Sequence, residues 1–347
     1  MKKTRIFAVL AAMAMGLAVF GCSNGDSDSS ESGSTTGGSE SSTTGGTTSG
    51  NGTESGSTGG STSGSIEPVA ENFVKIPAAS ISGTESWTPR SDVFISGRKL
   101  EIASFYMSDH ELTRGEYKAV MGIDPSTASA YDKDGNELTG DATKNNPVTD
   151  ISWYDALVYC NTRSIKEGLA PCYAIGGKTD PKDWGSVPDC DSDEKWDAAT
   201  CDFTADGYRL PTEAEWEWAA RGGESYMYAG SDDIDEVAWY KENTNDTGTR
   251  DVKTKKANGY GLYDMSGNVY EWCWDWYGDS ISSDTPDAGP AAGPAFGSYR
   301  CKRGGCWGSW AIGSRGVFDA WVFDRSFSFA PYLRSYDYGF RLVRNAN

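Results

Sequence analysis

The feature that most constrains the fold is a change of composition at Ile66. Residues 23–65 consist almost wholly of Ser, Gly, Thr, Glu, Asp and Asn, and they contain no aromatic or aliphatic side chain. Such a segment cannot bury enough apolar surface to offset its loss of conformational entropy, so we expect a flexible coil. A Gly- and Ser-rich coil of this length spans roughly 35 Å on average. A packed domain must therefore be built from residues 66–347, with the preceding coil as a tether.

The first 22 residues have the pattern of an export signal. Three cations among the first five residues precede an apolar run at 6–20, which is short for a membrane span. Gly21 and Cys22 follow, in the manner of a lipoprotein cleavage site. We predict a signal peptide at residues 1–21 and lipidation of Cys22, with residues 22–65 as the anchored tether. The alternative is ordinary cleavage, with Cys22 lost or left as a stray thiol.

Charge and histidine content exclude two kinds of site. Fifty acidic residues outnumber 31 basic ones, which gives a formal net charge of −19. Because phosphate contacts need Lys and Arg, we expect no nucleic-acid partner. His110 is the only histidine, so a His-rich zinc site is excluded, and we expect this residue at the surface or at a strand edge. Seven cysteines would remain without Cys22, an odd number that leaves the disulfide pairing open.

Capping signals predict where the helices begin. Thr113 and Thr212 are each followed three residues later by Glu, which is the spacing of a capping box. We therefore predict one helix at 114–121 and another that begins just after Thr212. A further helix is predicted at about 154–166, where residues of one face recur at three- and four-residue spacing.

Alternating apolar residues predict strands. Residues 74–78 and 100–107 alternate well enough for this. The run 272–277 contains Trp, Trp, Trp and Tyr, and we interpret it as a core strand. The alternative for this run is a platform on which sugar rings stack.

Four motifs together resemble the formylglycine-generating enzyme family, also called the sulfatase-modifying factor family. They are GYRLPTEAEWE at 207–217, GLYDMSGNVYEW at 261–272, RGGCWGSW at 303–310 and YGFRLV at 338–343. The resemblance implies an α+β domain with that family's variant of the C-type lectin-like fold. Such a domain is loop-rich, with short antiparallel sheets and about two to three helices.

The resemblance also implies where catalysis would take place. Active members oxidise a target cysteine with two thiolates that hold copper, six and eleven residues after the Arg of the Arg-Gly-Gly motif. Here those positions are Ser309 and Ser314. A serine hydroxyl is not ionised at neutral pH and does not bind a soft metal, so we expect no catalytic residue and no copper. Cys301 and Cys306 have the same separation eight positions earlier, where we expect the side chains to point elsewhere.

A calcium site is implied by the same family. Relatives bind the ion with a segment that matches 264–271, which points to the carboxylates of Asp264 and Glu271 and the carbonyls of Gly267 and Val269. Calcium prefers six to eight oxygen ligands of this mixed kind. The alternative is that both carboxylates cap backbone amides without a metal.

The C-terminal stretch, residues 306–338, is the candidate ligand-binding region. Ten of residues 307–338 are aromatic and many others are small, which is typical of binding surfaces that use rigid rings as anchors. The alternative is an irregular region that fills the core. The ligand-binding residues we predict are Trp310, Ile312, Ser314, Gly316, Phe318, Trp321, Phe323, Phe327, Phe329, Tyr332, Tyr336 and Tyr338.

Over about residues 70–347 the chain resembles one subfamily in particular, namely the surface variable lipoproteins of treponemes that retroelements diversify. Their mutagenesis replaces Asn codons, and residues 306–338 contain the resulting residue types and no Asn. The hypothesis is an exported, outer-membrane-anchored lipoprotein displayed at the cell surface, which binds an external protein or glycan. The alternatives are a formylglycine-generating oxidase and a carbohydrate-binding envelope protein of fixed sequence.

Overall fold

The computed structural model describes residues 71–83, 91, 93–278, 297–310, 320–322, 325 and 329–346. The chain divides into two units, Met1–Glu67 and Pro68–Asn347, and every described residue belongs to the second unit. The predicted signal peptide, Cys22 and the tether lie outside the described residues, so they stay predictions. Among the helices that are described, none is both long and apolar enough to cross a membrane.

Two helices begin where the capping signals indicated, and the helix predicted at about 154–166 begins at Trp153. Thr113 and Thr212 each accept a hydrogen bond from the backbone amide of the third helical residue, whose Glu side chain accepts one in return. These reciprocal bonds satisfy amide groups that a helix start leaves without partners. The helices are α1 (Arg114–Met121), α2 (Trp153–Lys166), α3 (Glu194–Asp197), α4 (Glu213–Arg221), α5 (Ile234–Val237) and α6 (Lys241–Thr244), with 3₁₀ turns at Gly140–Asn145 and Pro181–Asp183.

The strands are short and form several small sheets. The strands are β1 (Phe73–Ile76), β2 (Ala79–Ile81), β3 (Leu100–Ile102), β4 (Phe105–Ser108), β5 (Ala130–Tyr131), β6 (Glu137–Leu138), β7 (Tyr173–Ala174), β8 (Thr200–Cys201), β9 (Thr249–Arg250), β10 (Tyr270–Trp276), β11 (Arg300–Arg303), β12 (Tyr338–Gly339) and β13 (Val343–Asn345). One antiparallel sheet has the strand order β1-β4-β13, and another sheet has the order β11-β10-β12.

Strand β10 is the centre of the domain, and all seven of its residues are buried. Tyr270, Trp272 and Trp274 belong to one apolar cluster, with α1, α2 and β12, whereas Cys273 belongs to a second cluster, with α4 and β4. A strand covered on both faces explains the near-continuous run of large apolar residues. The interpretation of this run as a core strand is therefore confirmed, and so is the predicted lectin-like α+β fold.

His110 is buried, so the expectation of a surface or strand-edge position was wrong. Its Nδ1 contacts the Asp109 carboxylate, and its Nε2 lies 3.4 Å from Oε2 of Glu116. Burial opposes protonation, but the hydrogen bonds to Asp109 and Glu116 outweigh it and raise the pKa of His110 to about 9. The ring is thus a buried cation between two carboxylates, which the local alternating pattern did not indicate.

Candidate functional site

The Arg303-Gly304-Gly305 motif ends β11 and turns the chain into the candidate site. Gly304 and Gly305 have φ angles of 94° and 74°, which side chains other than glycine rarely adopt. A Cβ on Gly305 would lie 3.1 Å from Cα of Ala320 and 3.2 Å from Oγ of Ser309. The two parts of the C-terminal stretch that contain Ser309 and Ala320 therefore meet at this glycine.

Ser309, which stands where active relatives have a thiolate, is fully buried. Its Oγ accepts a hydrogen bond from the Cys306 amide at 2.9 Å and lies 3.4 Å from the Tyr270 hydroxyl. Its carbonyl accepts a hydrogen bond from the Lys241 amide. The side chain therefore closes a turn and is not available to a substrate. Ser314 lies outside the described residues.

The two cysteines with the family's separation are unsuited to joint chemistry. Cys306 and Cys301 belong to different apolar clusters. Burial and the nearby Asp337 carboxylate raise the pKa of the Cys306 thiol to about 12. Burial also raises the pKa of Cys301 well above its usual range, and its thiol lies 3.4 Å from Oε2 of Glu213. Because thiolates are the reactive species and bind soft metals, neither residue supplies what the oxidase reaction needs.

Two of the predicted ligand-binding residues are prominent on the surface. Trp310 is 45% exposed and Tyr336 is 54% exposed. The Lys241 ammonium lies 4.8 Å from the centre of the Trp310 ring, and the rings of Tyr336 and Trp307 are 5.7 Å apart. Large exposed rings of this kind provide contact area for a partner at low cost in side-chain entropy.

The other predicted ligand-binding residues differ in burial. Trp321, Phe329 and Tyr332 are half-buried, and the Trp321 indole donates a hydrogen bond to the Tyr228 hydroxyl. Tyr338 is only 5% exposed, because β12 pairs with β10 and its ring packs into the core. Its side chain therefore has no surface to offer a ligand. Outside the described residues lie Ile312, Ser314, Gly316, Phe318, Phe323 and Phe327.

A second segment lies beside the stretch, and no sequence pattern indicated it. This border segment, residues 224–246, contains α5 and α6 and has no motif that points to binding. The sequence feature that could have pointed to this segment is the aromatic residue Tyr226, which is exposed in the structure. Hydrogen bonds between described residues join the border segment to the stretch, among them Val322 amide to Met227 carbonyl at 3.1 Å, Trp321 indole to Tyr228 hydroxyl at 3.3 Å, Lys241 amide to Ser309 carbonyl at 2.9 Å and Thr244 hydroxyl to Trp307 carbonyl at 2.8 Å.

The predicted calcium ligands lie in a buried acidic group. Asp264 and Glu271 are buried together with Glu111, whose pKa is raised by burial and by the other two carboxylates. Both oxygens of Glu271 accept hydrogen bonds from Arg341 at 2.6 Å, and one also accepts a bond from the Trp216 indole at 2.7 Å. The negative charge of Glu271 is therefore already neutralised by the buried Arg341 guanidinium.

Asp264 fits a cation better than Glu271 does. No described group donates a hydrogen bond to its buried Oδ1, and burial raises the pKa of Asp264 to about 6. Gly267 supports the tight turn with a φ of 84°. Within the described ranges, no group of three or more His, Cys, Asp or Glu side chains is arranged to hold a metal ion. The calcium site at Asp264, Gly267, Val269 and Glu271 stays a prediction, and Arg341 already pairs with one of its two carboxylates.

The fold is a lectin-like α+β domain, and Ser309, one of the two positions where the family resemblance implies a catalytic thiolate, is a buried serine. The chain belongs to the family of the sulfatase-modifying factor enzyme 1-like domain, which matches residues 67–346. The predicted family is thereby confirmed.

Three relatives illustrate the range of this family. The chain is 37% identical over 248 residues to the chaperone protein LppX of Paenibacillus barcinonensis, covering 65% of this chain and 78% of that one. It is 25% identical over 269 residues to the formylglycine-generating enzyme of Bos taurus, covering 67% of each. The solved structure of Treponema denticola variable protein 1 is 34% identical, has a TM-score of 0.65, and covers 79% of this chain and 94% of that one.

Proposed function

We propose that this protein is a non-enzymatic binding module, displayed at the cell surface as a lipoprotein that Cys22 anchors in the outer membrane. Residues 306–338 contact an external protein or glycan. The observation that carries this proposal is the exposure of Trp310 and Tyr336 beside the buried Ser309. Exposed rings around a closed reaction centre suit recognition rather than catalysis.

Diversification by a retroelement is part of the proposal. It is supported by the similarity to Treponema denticola variable protein 1 and by the absence of Asn from residues 306–338. Reading the DNA beside the gene tests it directly. We expect a reverse transcriptase gene and a near-copy of the region that encodes residues 306–341. Identical stretches in many strains, with neither element nearby, would favour a carbohydrate-binding envelope protein of fixed sequence instead.

Binding itself is tested with purified domain on arrays of extracellular proteins and of glycans. We expect a ligand that the double variant Trp310→Ala/Tyr336→Ala no longer retains. The matched control is Ile165→Ala, which removes a side chain that is similarly exposed but lies on α2. Loss of binding in the control, or unchanged binding in the double variant, would contradict the proposed surface.

An oxidase function is tested separately. The purified domain, supplied with copper and oxygen, is incubated with a Cys-x-Pro-x-Arg peptide, and formation of formylglycine is measured by mass spectrometry. We expect no turnover, because the thiols of Cys301 and Cys306 are protonated at neutral pH. Turnover that Cys306→Ser abolishes would overturn the proposal.

A further inference from the structure

The border segment shapes the surface on which residues 306–338 lie. Its backbone and side chains hydrogen-bond to the stretch near both Ser309 and Val322. Tyr228, Val237 and Tyr240 of this segment form an apolar cluster with Ala320, and Trp321 packs against it. A ligand that covers Trp310 and Trp321 therefore meets the border segment as well.

The border segment also exposes apolar side chains of its own. Tyr226 is 39% exposed and Met227 is 36% exposed. Both precede Tyr228, whose hydroxyl accepts the hydrogen bond from Trp321. Rings and methionine side chains that protrude beside a binding region are typical of protein–protein interfaces, where aromatic residues and Met are enriched.

Charge identifies the kind of partner. The border segment contains seven acidic residues and one basic residue, Lys241, whereas residues 306–338 contain three of each. Six of the acidic residues are exposed: Asp232, Asp233, Asp235, Glu236, Glu242 and Asp246. Lys241 and Lys256 pair with two of them, Asp246 and Glu236, so the surface keeps a clear negative excess. Such a surface repels anionic glycans and attracts cationic protein surfaces.

We infer that the border segment is a constant part of the binding face, and that the ligand is a protein surface in which Lys or Arg side chains surround an apolar one. This inference rests on the proposed function and narrows its ligand to one class. The apolar side chain packs against Tyr226 and Met227, and the cations face the acidic side chains. Specificity then comes from residues 306–338, while attraction comes from the border segment.

The experiment selects peptides from a random display library on the intact domain. We expect enriched peptides with Lys or Arg near Leu, Ile, Phe or Trp, and binding that weakens as salt rises from 50 to 300 mM. Affinity of a synthetic selected peptide is then measured for Glu242→Lys/Asp246→Lys and, in case that variant misfolds, for Glu242→Lys alone. We expect each to weaken binding at low salt, the double variant by about tenfold or more.

The matched control is Asp191→Lys/Glu194→Lys, which makes the same charge change on exposed residues of the segment around α3. Equal weakening in the control would overturn the inference, since net charge alone would then explain the effect. Enriched peptides without cations, or retention of heparin in preference to peptides, would overturn it too. If Trp310→Ala/Tyr336→Ala abolishes peptide binding and the border variants do not, the proposed function stands and the inference fails. If neither Trp310→Ala/Tyr336→Ala nor the border-segment variants weaken peptide binding, both the proposed function and the inference fail.

Discussion

Tyr336 and Tyr338 lie two residues apart in different environments, and they provide a direct test of the candidate surface. Tyr336 is exposed and has one described ring contact, with Trp307. Tyr338 is buried, and its ring centre lies 5.3 Å from Trp272, 6.0 Å from Tyr270 and 5.3 Å from Phe329. The same substitution at each position should therefore have opposite effects on stability and on binding.

The expected magnitudes follow from these contacts. Replacing a buried aromatic side chain by Ala costs about 3–5 kcal/mol of unfolding free energy. Tyr338→Ala also removes a ring that lies 4.6 Å from the buried Lys302 ammonium, so we expect a loss near the upper end, about 4–5 kcal/mol. Tyr336→Ala loses one partly exposed ring pair, so we expect a loss of about 1 kcal/mol or less.

The assays are urea unfolding and thermal melts, both followed by tryptophan fluorescence, with Tyr338→Phe as the control that keeps the ring. We expect the melting temperature of Tyr338→Ala to fall by roughly 10 °C and that of Tyr336→Ala to change little. Array binding should be lost in Tyr336→Ala and largely retained in Tyr338→Phe. If Tyr336→Ala destabilises the domain as much as Tyr338→Ala does, the assignment of Tyr336 to a ligand surface is refuted.

Three further predictions concern buried charges. The pKa of His110 rises from 6.5 to about 9 on folding, so the stabilisation from its protonated ring is complete below pH 6.5 and is lost as the pH rises through 9. The unfolding free energy of the wild type should fall by up to about 3 kcal/mol between these pH values. A His110→Asn variant should show no such fall. Arg325→Met removes one of the two buried arginines that pair with Glu213 and leaves Arg303, so it should cost about 2 kcal/mol by urea unfolding. Arg334→Met, which breaks a half-exposed pair, should cost under about 1 kcal/mol, and equal losses would contradict this. If calcium binds at Asp264, thermal melts in excess calcium should have higher midpoints than melts in EGTA, and superimposed melts would remove the calcium prediction.

Part of the fold was predictable because local signals decide it. The capping boxes at Thr113 and Thr212 placed two helix starts correctly, since a cap depends on residues within one turn. The strand predicted at 100–107 is instead two strands, β3 and β4, which pair with β2 and β1 in different sheets. Alternation indicates which side chains face inward, but it does not indicate which strand is the partner.

The candidate site was predictable to a similar extent. Aromatic content directed attention to residues 306–338, and Trp310 and Tyr336 are indeed exposed. The aromatic content could not distinguish the exposed Tyr336 from the buried Tyr338, because Tyr338 is buried by the pairing of β12 with β10. The border segment was not predictable, since its hydrogen bonds to the stretch join residues about sixty or more positions apart in the chain.

Strand β12 begins at Tyr338, the last residue of the stretch, and β13 follows it, so if the stretch varies, the fold itself limits which sequences it can accept. Both strands must dock onto partners that precede the stretch, β10 and β4, before either three-stranded sheet is complete. A replacement sequence that prevented this pairing would leave apolar surface of both clusters uncovered, and such a molecule would be open to proteolysis. A variant of the stretch would therefore be displayed at the cell surface only if its sequence still allowed β12 and β13 to pair with β10 and β4.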